Sequence, residues 1–202
     1  EGAKITLTLT PPAQSLSAVK RKILGNILSA KDYHAIIDDI SAHRYSNMDI
    51  ASFLVALGSF TTPSEVLDLT ESLRGDKSLD WGNEEIVADY HCMDDIPGNK
   101  VDLIITAIAA AYGLPMPKIL TKSSATGIGI ADTMNILANV NIDVRGLKKQ
   151  VIEKRGAIVS IDNIEICEAD KIISGVEQQN GLTTQERSIA SLLANRSAAG
   201  IT

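Results

Sequence analysis

The stretch from Ile86 to Val140 constrains the fold of this chain more than any other. A short apolar strand, Ile86-Val87-Ala88, leads to Asp89-Tyr90-His91. An acidic turn and Pro97-Gly98-Asn99 follow, then an apolar run from Val101 to Tyr112 stopped by Gly113. A second strand, Met116 to Leu120, ends in a polar loop with Gly127 and Gly129, which opens an amphipathic segment at Ala131. Strand, loop, helix, strand, loop, helix is the βαβ pattern of a parallel sheet. The loops at the carboxyl ends of such strands are where these folds hold ligands.

The remainder reads as support for that unit. Residues 5–9 alternate apolar and polar like a strand, ended by Pro11 and Pro12. Four short helices follow. Leu16, Val19, Ile23 and Leu24 form the stripe of the first, which stops at Gly25. Ser29 caps the second, with Tyr33, Ile36, Ile37 and Ile40 on its face. The third runs from Asn47 through Met48, Ala51, Leu54 and Val55 to Gly58. The fourth starts at Thr62-Pro63 with Glu65 three residues after the cap, and Gly75 closes it. A polar hinge with Trp81 and Gly82 covers 75–85. Beyond Val140 the pattern predicts a helix over 144–154, a strand over 157–161, and helices over 168–177 and 184–199, broken at Asn180-Gly181. The fold class expected is helix-rich α/β. An all-helical domain forms from 16–75 plus 165–202, after a lead-in segment 1–15, beside a partial parallel α/β domain, 84–164, with βαβ units.

Composition removes several functions. Aromatic residues are 3% of the chain, against a stacking surface for single strands. A net charge of −6 and a pI near 5.1 are no footprint for nucleic acid. The longest apolar run, Leu103 to Ala111, falls short of the ~20 residues that span a bilayer. Neither nucleic acid nor membrane is therefore an expected partner. Two cysteines, Cys92 and Cys167, make no disulfide scaffold, and no signal peptide is visible, so a cytoplasmic setting is expected. The chain starts at Glu1 and stops after a helical run, so both ends read as cut from something longer.

Three places carry chemistry. His91 sits at a strand-to-loop junction, where an imidazole serves as a general acid, orients a ligand, or simply hydrogen-bonds its neighbours. His34 and His43 read as surface groups on helices. Asp94 and Asp95, with His91 and Cys92, fit no zinc spacing and read as a solvated acidic turn, so no metal is expected. Cys92 beside His91 is a poor nucleophile–base pair, because adjacent residues on extended chain point to opposite sides. The loop Thr121-Lys122-Ser123-Ser124-Ala125-Thr126-Gly127-Ile128-Gly129 is the better anion candidate. It offers a cation, hydroxyls and exposed backbone N–H groups ahead of a helix. It contains neither a Walker phosphate loop nor a dinucleotide fingerprint.

Four stretches then carry a resemblance: Lys22-Ile23-Leu24-Gly25; His91 with Ile96-Pro97-Gly98-Asn99; Gly113-Leu114-Pro115-Met116-Pro117-Lys118; and Ala131-Asp132-Thr133-Met134. With Ser191-Leu192-Leu193-Ala194, the chain resembles the thymidine phosphorylase and AMP phosphorylase family, the class II nucleoside phosphorylases, over nearly its whole length. It looks most like the archaeal-type AMP phosphorylase branch. Family members are much longer. The resemblance implies a helical domain through which members dimerise and an α/β domain that holds phosphate. It implies phosphorolysis of a nucleoside or nucleoside monophosphate, with phosphate as co-substrate and no cofactor. His91 would be the catalytic histidine of the phosphate loop. Thr121, Lys122 and Thr126 stand at serine, arginine and serine positions of the AMP phosphorylase pattern, and Ser191 matches a base-contacting serine. The glycine-rich anthranilate phosphoribosyltransferases share the fold type, but their Gly-Thr-Gly-Gly-Asp motif is absent here.

The resemblance departs from the family at the phosphate. Tyr90 stands at the loop's lysine, Asp94 and Asp95 at its glycines, and Asp102 at a hydroxyl position. Leu120 and Ile130 replace a serine and a threonine, Asn195 replaces a lysine near the base, and Val176 falls near an arginine position. Each like-charge pair so created near a phosphate dianion costs roughly 1–4 kcal/mol in a surface cleft. Three readings follow: phosphorolysis, a non-catalytic dimerising or regulatory homologue, and the same scaffold with a cationic or metal ligand.

Overall fold

The computed structural model describes residues 11–75, 79–82, 86–88, 90, 101–120, 123–124, 127–128, 130–160, 168–182 and 184–198. The strand expected at 5–9 lies outside them. In chain order the elements are α1 (Leu16–Ile23), α2 (Ala30–Ser41), α3 (Asn47–Phe60), α4 (Pro63–Arg74), α5 (Val101–Ala111), β1 (Met116–Leu120), β2 (Ser123–Ser124), β3 (Gly127–Ile128), α6 (Ile130–Leu137), α7 (Val144–Lys154), β4 (Gly156–Ser160), α8 (Glu168–Asn180) and α9 (Gln185–Ala198). They form two compact units, Glu1–Leu73 with Ala169–Ser191, and Arg74–Glu168 with Leu192–Thr202. A helical unit and a parallel α/β unit are the architecture expected from the sequence.

In the helical unit, polar boxes start the helices. Ser29 and Asp32, then Ser46 and Asp49, exchange side-chain and backbone hydrogen bonds at the first turns of α2 and α3. Thr62 and Glu65 do the same for α4, with Thr62 N–H donating to Glu65 Oε2 at 2.9 Å. Tyr33, Ile36, Phe53, Leu54, Leu57, Leu69 and Ile173 are buried at the centre. The α2 stripe is as expected.

The α1 and α3 stripes are so only in part, at Val19 and Leu54. On α1 the buried residues are Ala18, Val19 and Lys22, while Leu16, Ile23 and Leu24 face solvent. On α3, Met48 and Val55 are exposed, and Ile50, Phe53, Leu54, Ala56 and Leu57 are inside. That helix also continues past Gly58 to Phe60. Gly58 is there for contact, since a Cβ on it would stand 2.6 Å from Thr184 Cγ2. His43 lies in the turn after α2 with φ of 53°, not on a helix.

The reason for the α1 correction is a buried ion pair. Lys22 Nζ reaches Glu65 Oε1 at 2.6 Å and the Phe60 carbonyl at 3.1 Å. The same Glu65 oxygen accepts from Leu28 N–H at 2.9 Å and from the Tyr33 hydroxyl at 3.0 Å. Glu65 is thus the box residue of α4 and the acceptor that draws α1, α2 and the α1–α2 connection together. Burial pushes its carboxyl up, but donors from Leu28, Lys22, Thr62 and Tyr33 outweigh this and hold it at about 2.

In the α/β unit, β1 and β4 pair in parallel, from Met116 opposite Gly156 to Leu120 opposite Ser160. The crossover runs through α6 and α7, so the βαβ unit exists with a different pair of strands. Ile86–Ala88 forms no regular strand, though Ala88 N–H donates to the Pro115 carbonyl at 2.9 Å. α5 and α7 pack on both strands, over a core that includes Leu147, Val151 and Val159. Gly156 permits a close approach, since a Cβ there would meet Ala110 Cβ at 2.9 Å. Asp143 caps α7 through Gly146 N–H. The glycine-rich segment after β1 holds the two-residue antiparallel strands β2 and β3. α6 starts at Ile130, a residue earlier than expected.

Candidate functional site

Of the site residues expected from the sequence, Ser191 lies among the described residues. His91, Thr121, Lys122 and Thr126 lie outside them. Their flanks are placed. Lys118, on β1, is 1% exposed, and its ammonium donates to the carbonyl of Tyr90, the residue before His91, at 2.5 Å. Leu120, the end of β1, leads directly into Thr121. Strand β1 therefore anchors the chain entering both candidate loops.

Ser191 is built into a buried charge cluster between α8 and α9. On α9, Arg187, Ala190, Ser191 and Ala194 follow the i, i+3, i+4, i+7 spacing of one helix face. Ala190 is buried, and so is Arg187, 1% exposed. On α8, Asp170, Ile173, Ser174 and Glu177 follow the same spacing. Arg187 Nη2 meets Asp170 Oδ1 at 2.6 Å as a charge contact rather than an aligned hydrogen bond. It also donates to the Asp170 carbonyl at 3.3 Å and to Ser174 Oγ at 3.5 Å. Glu177 Oε2 is 3.8 Å from the same nitrogen. Ser191 Oγ, half-buried, donates to Asp170 Oδ2 at 2.8 Å.

The cluster holds two carboxylates for one guanidinium. Burial pushes the Glu177 carboxyl up, Arg187 opposes, and Asp170 adds to the rise. Glu177 Oε1 and Arg187 Nε are buried and find no hydrogen-bond partner among the described residues. Sequence reading missed Asp170, Glu177 and Arg187. The signal that finds them is an acid–base match between two facing helical stripes that otherwise read as apolar. Among the described residues no group of His, Cys, Asp and Glu could hold a metal ion, and no helix is long and apolar enough to cross a membrane.

The chain superposes on anthranilate phosphoribosyltransferase (TrpD) from Thermus thermophilus with a TM-score of 0.69 at 19% identity, covering 91% of this chain and 55% of that one. No family model matches the chain. The chain is homologous along its whole length to proteins named putative thymidine phosphorylase, as the motifs read above imply. It is 40% identical to the one from Nitrobacter hamburgensis and 37% identical to the one from Bradyrhizobium diazoefficiens, each over 202 residues. It is 37% identical over 204 residues to a putative thymidine phosphorylase 2 of an Acidovorax species. The chain spans 39% of the length of each of these relatives.

Proposed function

We propose that this chain carries part of the site of a nucleoside phosphorylase. In the reaction a phosphate oxygen attacks the anomeric carbon and the C–N bond to the base breaks. The bonding pair leaves with the base nitrogen, which takes a proton, and a sugar 1-phosphate remains. The observation that carries this reading is the 40% identity to a relative named putative thymidine phosphorylase across all of the chain. His91, Thr121, Lys122 and Thr126 are assigned to the phosphate, and Ser191 to the base. The catalytic work is positioning and electrostatic: donors gathered for phosphate and support for charge on the departing base.

The test is release of free base from thymidine, uridine, AMP and CMP by the longest native form of the protein, with and without phosphate. Phosphate-dependent release is expected, falling by about 10²-fold or more in His91→Ala, the scale for a lost donor that supports charge in the transition state. Release that ignores phosphate, or survives the substitution, contradicts the assignment.

The helical unit is also assigned to self-association. Leu24, Ile27 and Phe60 are 80%, 68% and 52% exposed, and the Phe60 ring lies beside Gly25. Large apolar side chains grouped at a surface favour a protein partner over water, and a second copy is the partner assigned. Sedimentation should give a homodimer, and Leu24→Asp with Phe60→Asp should give a folded monomer. A monomer before substitution would refute this.

A further inference from the structure

We infer that the buried Lys22–Glu65 pair positions the self-association surface: it clips the α1–α2 connection to the turn between α3 and α4, and so holds Leu24, Ile27 and Phe60 ready as one patch. The inference rests on the assignment of that patch to a second copy made above. The patch is assembled from two turns far apart in the chain. Leu24 and Ile27 lie in the α1–α2 connection, and Phe60 ends α3. Lys22, just ahead of Leu24, donates from Nζ to the Phe60 carbonyl at 3.1 Å and to Glu65 Oε1 at 2.6 Å. Leu28 N–H, next to Ile27, donates to the same carboxylate oxygen at 2.9 Å. Thr62 N–H, just after Phe60, donates to Glu65 Oε2 at 2.9 Å. Each apolar side chain of the patch therefore sits on, or close to, a backbone group that the pair holds. Gly25, with φ of 82°, turns the first connection so that the Phe60 ring lies beside it, where a Cβ would be in ordinary contact at 3.7 Å.

The arrangement inverts what hydrophobicity alone dictates. Lys22 and Glu65 are buried, while Leu24, Ile27 and Phe60 face solvent. Taking the two charges out of water is costly, and the donors gathered on Glu65 offset it. Leaving the three apolar side chains in water is costly too, and a second copy covering the patch offsets that. A surface already held in its bound shape loses less conformational freedom on association than one that must first be ordered, and the saving appears as affinity.

The experiment is sedimentation equilibrium of the longest native form, of Lys22→Met with Glu65→Leu, and of Glu65→Gln, at a temperature well below every melting transition. The unmodified protein should dimerise. The double variant keeps every side chain of the patch but loses the clip, and its dimer Kd should rise by about tenfold or more. Glu65→Gln keeps an acceptor for Leu28 and Lys22 and should dimerise more tightly than the double variant. A lower melting temperature with an unchanged Kd in the double variant would show a role in stability alone, and that outcome overturns the inference. Should the double variant fail to fold, Lys22→Met decides. It removes the bond to the Phe60 carbonyl while Glu65 keeps Leu28 and Thr62, and an unchanged Kd overturns the inference. If the unmodified protein is monomeric, the self-association reading itself is contradicted, and the inference falls with it.

Discussion

Glu65→Ala should destabilise the protein by about 3–5 kcal/mol, the cost of leaving a buried charge without its partner. The substitution strands the Lys22 ammonium, the Tyr33 hydroxyl and the backbone N–H of Leu28, all inside the helical unit. It also removes the Thr62 box that starts α4. Urea midpoints measure the loss, with exposed Glu71→Ala as a control within about 0.5 kcal/mol. The double change Lys22→Met with Glu65→Leu should cost less than Glu65→Ala alone, because no charge is then left unpaired.

The same carboxylate has a pH signature. Its folded-state value of about 2 lies below the ordinary 4.5, so ionised Glu65 stabilises the fold above about pH 4.5. That contribution fades as pH falls from 4.5 towards 2, and it amounts to roughly 3 kcal/mol. Glu65→Gln, already destabilised at neutral pH, should lack this part of the acid loss. An acid profile identical to that of the unmodified protein would contradict the pairing.

Arg187→Met should be nearly as costly, at about 3–5 kcal/mol near neutrality. It leaves Asp170 and Glu177 as two buried carboxylates without the guanidinium 2.6 and 3.8 Å away. Glu177, already raised by burial, would rise further without Arg187 to oppose the shift. A carboxyl raised on folding contributes stability in acid that is lost as pH climbs through its folded value. The variant should therefore be more destabilised at about pH 8 than at about pH 5, and Glu177→Gln in the same chain should recover part of the loss at the higher pH. A deficit equal at both pH values would show that Arg187 acts by volume rather than charge.

The lengths of the helices were legible because their ends are written in local chemistry. Ser29, Ser46 and Thr62 with their partners, and Gly113 with φ of 87°, mark boundaries within a few residues. Their inner faces were less legible. Apolar periodicity placed Leu16, Ile23 and Leu24 inside α1, but Lys22 took that side because its acid lies 43 residues away in the chain. The same limit hid Asp170 and Arg187, whose charges look like solvent-facing residues until α8 and α9 are set side by side. At Ile86–Ala88 the expected strand pairing amounts, among the described residues, to the Ala88 N–H donating to the Pro115 carbonyl, while β1 pairs with β4. The Ser191 candidate came from likeness in a short motif, and its Asp170 partner came only from the fold.

The most direct test of the central claim is the fate of phosphate. The longest native form would be incubated with thymidine, uridine, AMP and CMP in inorganic phosphate, and the products followed by phosphorus NMR and by release of base. The account predicts a sugar 1-phosphate signal growing one for one with free base from at least one of these substrates. Base released together with free sugar and without that signal, or no base released from any of the four, would contradict it.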